Sequence, residues 1–155
     1  MAERSRARIQ RTNQLVGSNG ARYTAEVSEE RYPLGDGYAL FRRGVRFLRV
    51  EEFGNPLDAD EMTRYFAAIE RSLVAAHLSG LLIVAQRTGA NPLSPHWVAI
   101  REARWKALAS SRAKRIAVLV EDDLGISRVQ MTAVAKKAPV RAFLDEASAI
   151  AWLTA

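Results

Sequence analysis

A serine at a helix start, two histidines and one acidic run are the side chains whose type and spacing could do chemistry in this chain. Ser94 and His96 would be a nucleophile and its base. Two residues apart at a helix start they diverge, and no third group is placed to orient the imidazole. His77 and His96 lack a second ligand at metal spacing such as His-x-x-x-His, so no metal site is expected from them. His77 falls at a predicted helix end, where a cation interacts favourably with the helix dipole. Glu121-Asp122-Asp123 could contact a divalent cation, but one loop offers fewer oxygens than such an ion takes. Solvation and helix capping account for these acids. The chain has no cysteine, which excludes thiol catalysis, disulfides and Cys-ligated zinc or iron–sulfur centres. It also lacks a G-x-S-x-G elbow, a Walker A loop and a G-x-G-x-x-G turn. The expectation is a protein that is not an enzyme and carries no cofactor.

A recognition surface is the better-supported chemistry. Trp97 and Trp105 bracket Arg101 and Arg104, with Lys106 next to Trp105, on one predicted helix. Eight residues of helix rotate the two indoles about 80° apart, so one can be core while the other faces solvent beside the arginines. Trp97, Arg101, Arg104 and Trp105 are the expected partner-binding residues. The competing reading puts both indoles in the core and the charges in water.

Alternating elements would position these residues. Arg22 to Val27 reads as a short edge strand, and Pro33 to Gly37 as a turn. Tyr38–Arg43 and Val45–Phe53 are β-branched and aromatic runs separated by Gly44, a hairpin. Alternation in the second run conflicts, because Val45 and Phe47 share one parity while Leu48 and Val50 share the other. A bulge, or a strand covered on both faces, resolves it. Asp58 with Glu61 three positions on resembles a capping box, followed by Met62, Tyr65, Phe66, Ile69, Leu73 and Ala76 at helical steps. That helix should stop near His77 to Gly80. Leu81–Ala85 and Ile116–Val120 read as buried strands. Ser94-Pro95 starts a helix that runs to about Ser110. A helix over 125–138, a strand over 140–144 and a helix over 146–153 capped by Asp145 complete the chain. The order implies an α/β fold: a mixed, largely parallel sheet with a leading antiparallel hairpin, flanked by helices.

The chain has 155 residues, 48% of them hydrophobic and 26% charged. At roughly 100–200 residues per domain, this is one domain able to bury a core without staples. Residues 1–20 are expected to form a flexible Arg-rich arm and residues 21–155 the domain. The net charge is +6. It is concentrated in residues 1–11 and 101–115, with the remainder near balance. The arm carries no aromatic interleaving or nucleic-acid motif, so nucleic acid is not the expected partner, and weak contact with an anionic surface is the most the arm offers. The longest stretch without Lys, Arg, Asp or Glu, Ser72 to Gln86, is too short to span a bilayer, and the N-terminus has no apolar signal region. A cytoplasmic protein is expected.

Lys114-Arg115-Ile116-Ala117-Val118-Leu119-Val120-Glu121-Asp122, then Pro139 to Glu146, and Ala149-Ile150-Ala151-Trp152-Leu153 resemble the bacterial STAS-like, SpoIIAA-like family across about residues 38–153. The closing Phe…Ala-Trp-Leu pattern is the most specific part, and it is a packing signature in which Trp152 and Leu153 dock the last helix. The resemblance implies a regulatory or scaffolding module that binds another protein, a second copy of the chain being one candidate. The alternative it admits is an apolar small-molecule or lipid-binding or sensing domain. In the wider STAS group a serine at a comparable helix start is phosphorylated to switch partner binding, which makes Ser94 the candidate, although Leu93-Ser94-Pro95 replaces the usual Asp-Ser. A helix N-terminus favours such a phosphate. The acidic run after Ala117–Val120 also resembles the first strand of a phospho-receiver domain, but the topology leaves no later strand for its phosphorylated aspartate.

Overall fold

The computed structural model describes residues 7–16, 22–85 and 95–155. Its elements are β1 (Ala7–Val16), β2 (Arg22–Leu34), β3 (Gly37–Arg43), β4 (Phe47–Glu52), α1 (Ala59–Ala75), β5 (Gly80–Ala85), α2 (Pro95–Ala109), β6 (Arg115–Leu119), α3 (Asp123–Lys136), β7 (Val140–Phe143) and α4 (Glu146–Leu153). They build one seven-stranded sheet in which strand order follows chain order. β1 to β4 pair antiparallel, and β4 to β7 pair parallel through the helical crossovers. The mixed α/β sheet flanked by helices is as expected, but its antiparallel part is a four-strand meander rather than a hairpin.

The difference lies in the N-terminal segment. Ala7–Val16 pairs with β2 from Ala7↔Arg31 to Val16↔Arg22. β2 is correspondingly longer than the short edge strand expected at 22–27, and β1 is the edge instead. The Arg-rich polar sequence of this segment carries no apolar alternation from which a strand could be read.

Each sheet face has its own core. Leu48, Val50, Leu81, Ile83 and Ile116 pack with Met62, Tyr65, Phe66, Ile69 and Leu73 of α1 and with Ile100 and Leu108 of α2, while Ala133 of α3 closes the same layer. The alternate residues Leu82 and Ala117 pack with Ala149 and Leu153 of α4. Helices α1 to α3 therefore share one face, and α4 covers the other. β4 is covered on both, since Phe47 packs toward α4 and Leu48 and Val50 toward α1. Its register with β3 runs unbroken from Arg43↔Leu48 to Ala39↔Glu52, so no bulge is needed, and Val45 belongs to the exposed turn.

Polar contacts fix the ends. Asp58 Oδ1 accepts from the Glu61 amide at 2.7 Å, the expected N-cap. The Glu61 carboxylate departs from a capping box: its Oε1 accepts from the amides of Gly35 (2.5 Å) and Leu57 (3.2 Å). It is a buried acid that ties the β2–β3 turn to the start of α1. α4 is held by its carbonyls, with Arg46 donating to Thr154 O at 2.8 Å and Arg115 to Trp152 O at 2.6 Å. Trp152 packs on Phe143, and Leu153 is buried. On this same side Glu29 of β2 pairs with Arg42 of β3, and Arg49 of β4 pairs with Glu51 and with Glu146 of α4.

Gly35 has φ +61°, and a Cβ there would lie 1.8 Å from Asn55 O. Gly35→Ala is expected to cost at least about 2 kcal/mol in urea unfolding, combining left-handed strain with backbone displacement. The neighbouring exposed Asp36→Ala should change stability by less than about 0.5 kcal/mol. Equal losses in the two variants would remove the argument for this close approach.

Candidate functional site

The carboxyl ends of β4, β5 and β6 open into a cleft of about 420 Å³ beneath α2 and the first turns of α3. Its position follows from the crossovers. α1 and α2 lean together along the face they share, and α3 is drawn toward β7, so the gap falls between α2 and α3. α2 lines the cleft with Trp97, Ile100, Arg101, Arg104, Trp105 and Leu108, successive steps of three and four residues along one helical face. Met62 of α1, Val118 of β6 and Val129 of α3 complete an apolar interior, and Glu52 and Gly54 to Pro56 form the end nearest β4.

The floor carries a buried charge. Glu52, the last residue of β4, is 6% exposed. Its Oε2 accepts the Tyr65 hydroxyl at 2.7 Å, while Arg104 donates Nη1 to Oε2 at 3.0 Å and Nη2 to Oε1 at 3.2 Å. The guanidinium thus holds the carboxylate by both oxygens and also lies over the Phe66 ring. Burial first, and then the negative charge of Glu52, hold the Tyr65 phenol well above its ordinary value. Burial alone would lower Arg104, but the attraction and hydrogen bonds of Glu52 outweigh it, and its pKa is raised. Glu52, Tyr65 and Arg104 join β4, α1 and α2 in one satisfied polar cluster.

The expected site residues are redistributed by this geometry. Arg104 is engaged by Glu52, with its side chain 20% exposed. Trp97 and Trp105 are both half-buried and line the same cleft, intermediate between the two readings of the helix. Arg101 is exposed at the cleft mouth. Ser94 lies outside the described residues, as does the expected loop at 88–93. His96 is exposed, with its ring edge-on to Trp97 at 6.0 Å. His77 follows the α1 C-cap with φ 55°, a left-handed helix terminus. Asp122 caps α3 by accepting from the Gly125 amide at 2.8 Å.

The basic segment 101–115 is not one patch. It descends α2 from the cleft mouth to Lys114 and Arg115, which lie at the opposite, amino-terminal ends of the strands beside Arg46. Sequence reasoning missed Glu52, Tyr65, Arg128 and Val129 as parts of the site. The α2 stripe 97/100/104/108 with 101/105 was the available signal, since it places arginines on the same face as apolar residues.

No helix among the described residues is long and apolar enough to cross a membrane. A family model described as SpoIIAA-like matches residues 48–154, from β4 to the end of α4, and so includes the whole cleft. No curated protein and no solved structure matches the chain.

Removing one partner from a buried ion pair leaves the other uncompensated. Arg104→Met is expected to cost about 3 kcal/mol in chemical unfolding at pH 7, and Arg104→Met with Glu52→Leu to recover more than half of that. An unchanged deficit in the double variant would show that lost packing, not the orphaned charge, sets the cost. Tyr65 gives a pH signature of known sign. Its stabilisation is intact below the ordinary phenol value of 10.0 and is lost as pH rises through the higher folded value. Stability should therefore fall above about pH 10 more steeply in the native chain than in Tyr65→Phe. Parallel alkaline limbs in the two proteins would refute the coupling.

Proposed function

The chain belongs to the SpoIIAA-like family, and from that premise we propose that it is a STAS-type regulatory module that senses a small, largely apolar molecule held in the cleft. The observation that carries this reading is the cleft itself. It is a concave site of ligand-pocket size, walled by two indoles and aliphatic side chains, with a few polar groups at its floor and mouth. Such sites form where crossover helices leave the carboxyl ends of parallel strands uncovered.

Binding rather than turnover fits the side chains present. The carboxylate on the floor is tied by a hydroxyl and a guanidinium, which leaves it no free proton-transfer partner in the cleft. The response would pass through α2. Only Ile100 and Leu108 of this helix are fully buried, so an occupant beneath it competes with few existing contacts. A shift of α2 would alter the outer surface it shares with α3.

That outer surface supports the second part of the proposal, a protein partner as the output. Leu124, Met131 and Val134 of α3 are exposed, as is Val98 of α2. Exposed apolar side chains grouped on neighbouring helices are the usual material of a docking face. Arg101 stays in this reading as a surface cation, and Ser94 stays as a candidate switch because a phosphate immediately before Pro95 would add charge at the start of α2. The cell compartment in which this operates is proposed to be the cytoplasm.

The neutral fluorophore N-phenyl-1-naphthylamine tests the cleft directly. It is expected to bind saturably at one equivalent, with energy transfer from Trp97 and Trp105. Val129→Trp, which fills the cavity, should weaken binding by about tenfold or more while leaving the circular dichroism spectrum in place. Unsaturable binding, or binding indifferent to the filled cavity, would refute the proposal.

A further inference from the structure

Two arginines at the mouth of the cleft extend the reading just given, on which this inference rests. Arg101 projects from α2 and Arg128 from α3, and both line the cleft as well as the shallower depression that continues between the two helices. Both are exposed, and neither forms an ion pair among the described residues. The acids around them are already engaged. Glu102 pairs with Lys136 at 3.0 Å, Glu52 is held by Arg104 and Tyr65, and Glu121 has a partner of its own.

We propose that the cleft takes an amphipathic anion, its acid group held between Arg101 and Arg128 and its apolar body lying inward against Trp97 and Trp105. The charge balance leads to this class. Glu52 and Arg104 cancel at the floor, so the interior is neutral and apolar, while Arg101 and Arg128 from different helices stand at the mouth together with the already engaged Glu121. Two guanidinium groups that line one opening and form no ion pair among the described residues repel each other, and an anion between them converts that repulsion into two charge-assisted contacts. The fork geometry of guanidinium suits a planar carboxylate or a sulfonate. The aliphatic stems of the two arginines extend the apolar wall up to the mouth, so no polar gap separates the two halves of the ligand. Such an occupant would also bridge α2 to α3, the two helices whose separation creates the cleft.

A matched pair of probes separates this inference from the cleft reading beneath it. 2-Naphthylacetate and 2-naphthaleneethanol share an aromatic body and differ in charge. Affinities would be measured by calorimetry on the full chain, with Arg101→Ala, Arg128→Ala and the double variant, each checked by circular dichroism. The acid is expected to bind the native protein about tenfold more tightly than the alcohol, and raised salt should shrink that ratio. In the double variant the ratio should fall toward one, and the Arg101→Lys, Arg128→Lys variant should restore part of it. Equal affinity of the two probes for the native protein overturns the anion site while leaving the cleft as a ligand site. A ratio that persists in the double variant also overturns it, placing the anion elsewhere. Acetate competing as well as naphthylacetate would overturn the amphipathic part. Binding of neither probe overturns the cleft reading itself, and this inference with it.

Discussion

The carboxylate of Glu52 is the constraint around which the working end of the molecule is arranged. A buried anion in this position is tolerable only when its oxygens are occupied by strong donors. The two donors come from different helices, Tyr65 on α1 and Arg104 on α2. Satisfying one charge therefore fixes the rotation of both helices over the end of β4. Once Arg104 is turned inward, the helical repeat turns Trp97, Ile100 and Leu108 toward the sheet as well, with Arg101 and Trp105 further round toward α3. The cleft is what remains between a helix oriented in this way and α3, which sits toward β7.

The rest of the fold supplies a rigid base for that arrangement. The parallel strands are buried on both faces, by three helices on one side and by α4 on the other. α4 is short, and its attachment relies on Arg46 and Arg115 reaching its terminal carbonyls from the amino-terminal end of the sheet. Apolar packing of Leu153 and Trp152 supplies the remainder. The Arg-rich composition is thus put to three distinct uses: caps on a helix end, a partner for a buried acid, and exposed cations at the cleft mouth. Net charge alone suggested only attraction to something negative.

How much was legible followed from how local each signal is. α1 declared itself because its stripe and its cap lie within one stretch of sequence, and α4 because Asp145, Ala149 and Leu153 do the same. The two central strands were legible as short apolar runs bounded by turns. β1 was not, since its residues show no apolar alternation. The pair of Glu52 with Arg104 spans 52 residues, and each member alone looks like an ordinary solvated charge. No periodicity reports a contact of that kind. The same blindness placed Arg104 on the outside of α2, where its neighbours Arg101 and Lys106 do lie.

Strand order following chain order has a kinetic consequence. Neighbouring strands of the sheet are also neighbours in the chain, so no strand must wait for a distant segment to be made. The closures required are short, so the entropy spent before a contact is rewarded stays small at every step. The sheet can grow outward from any pair already formed, in either direction, without passing through a register that later has to be undone. The long-range contacts that do cross the order are those between side chains on the helices and the sheet, Glu52 with Arg104 among them. Those contacts form on a scaffold whose strands are already aligned, which makes the cleft a late product of folding, assembled after the frame that bears it.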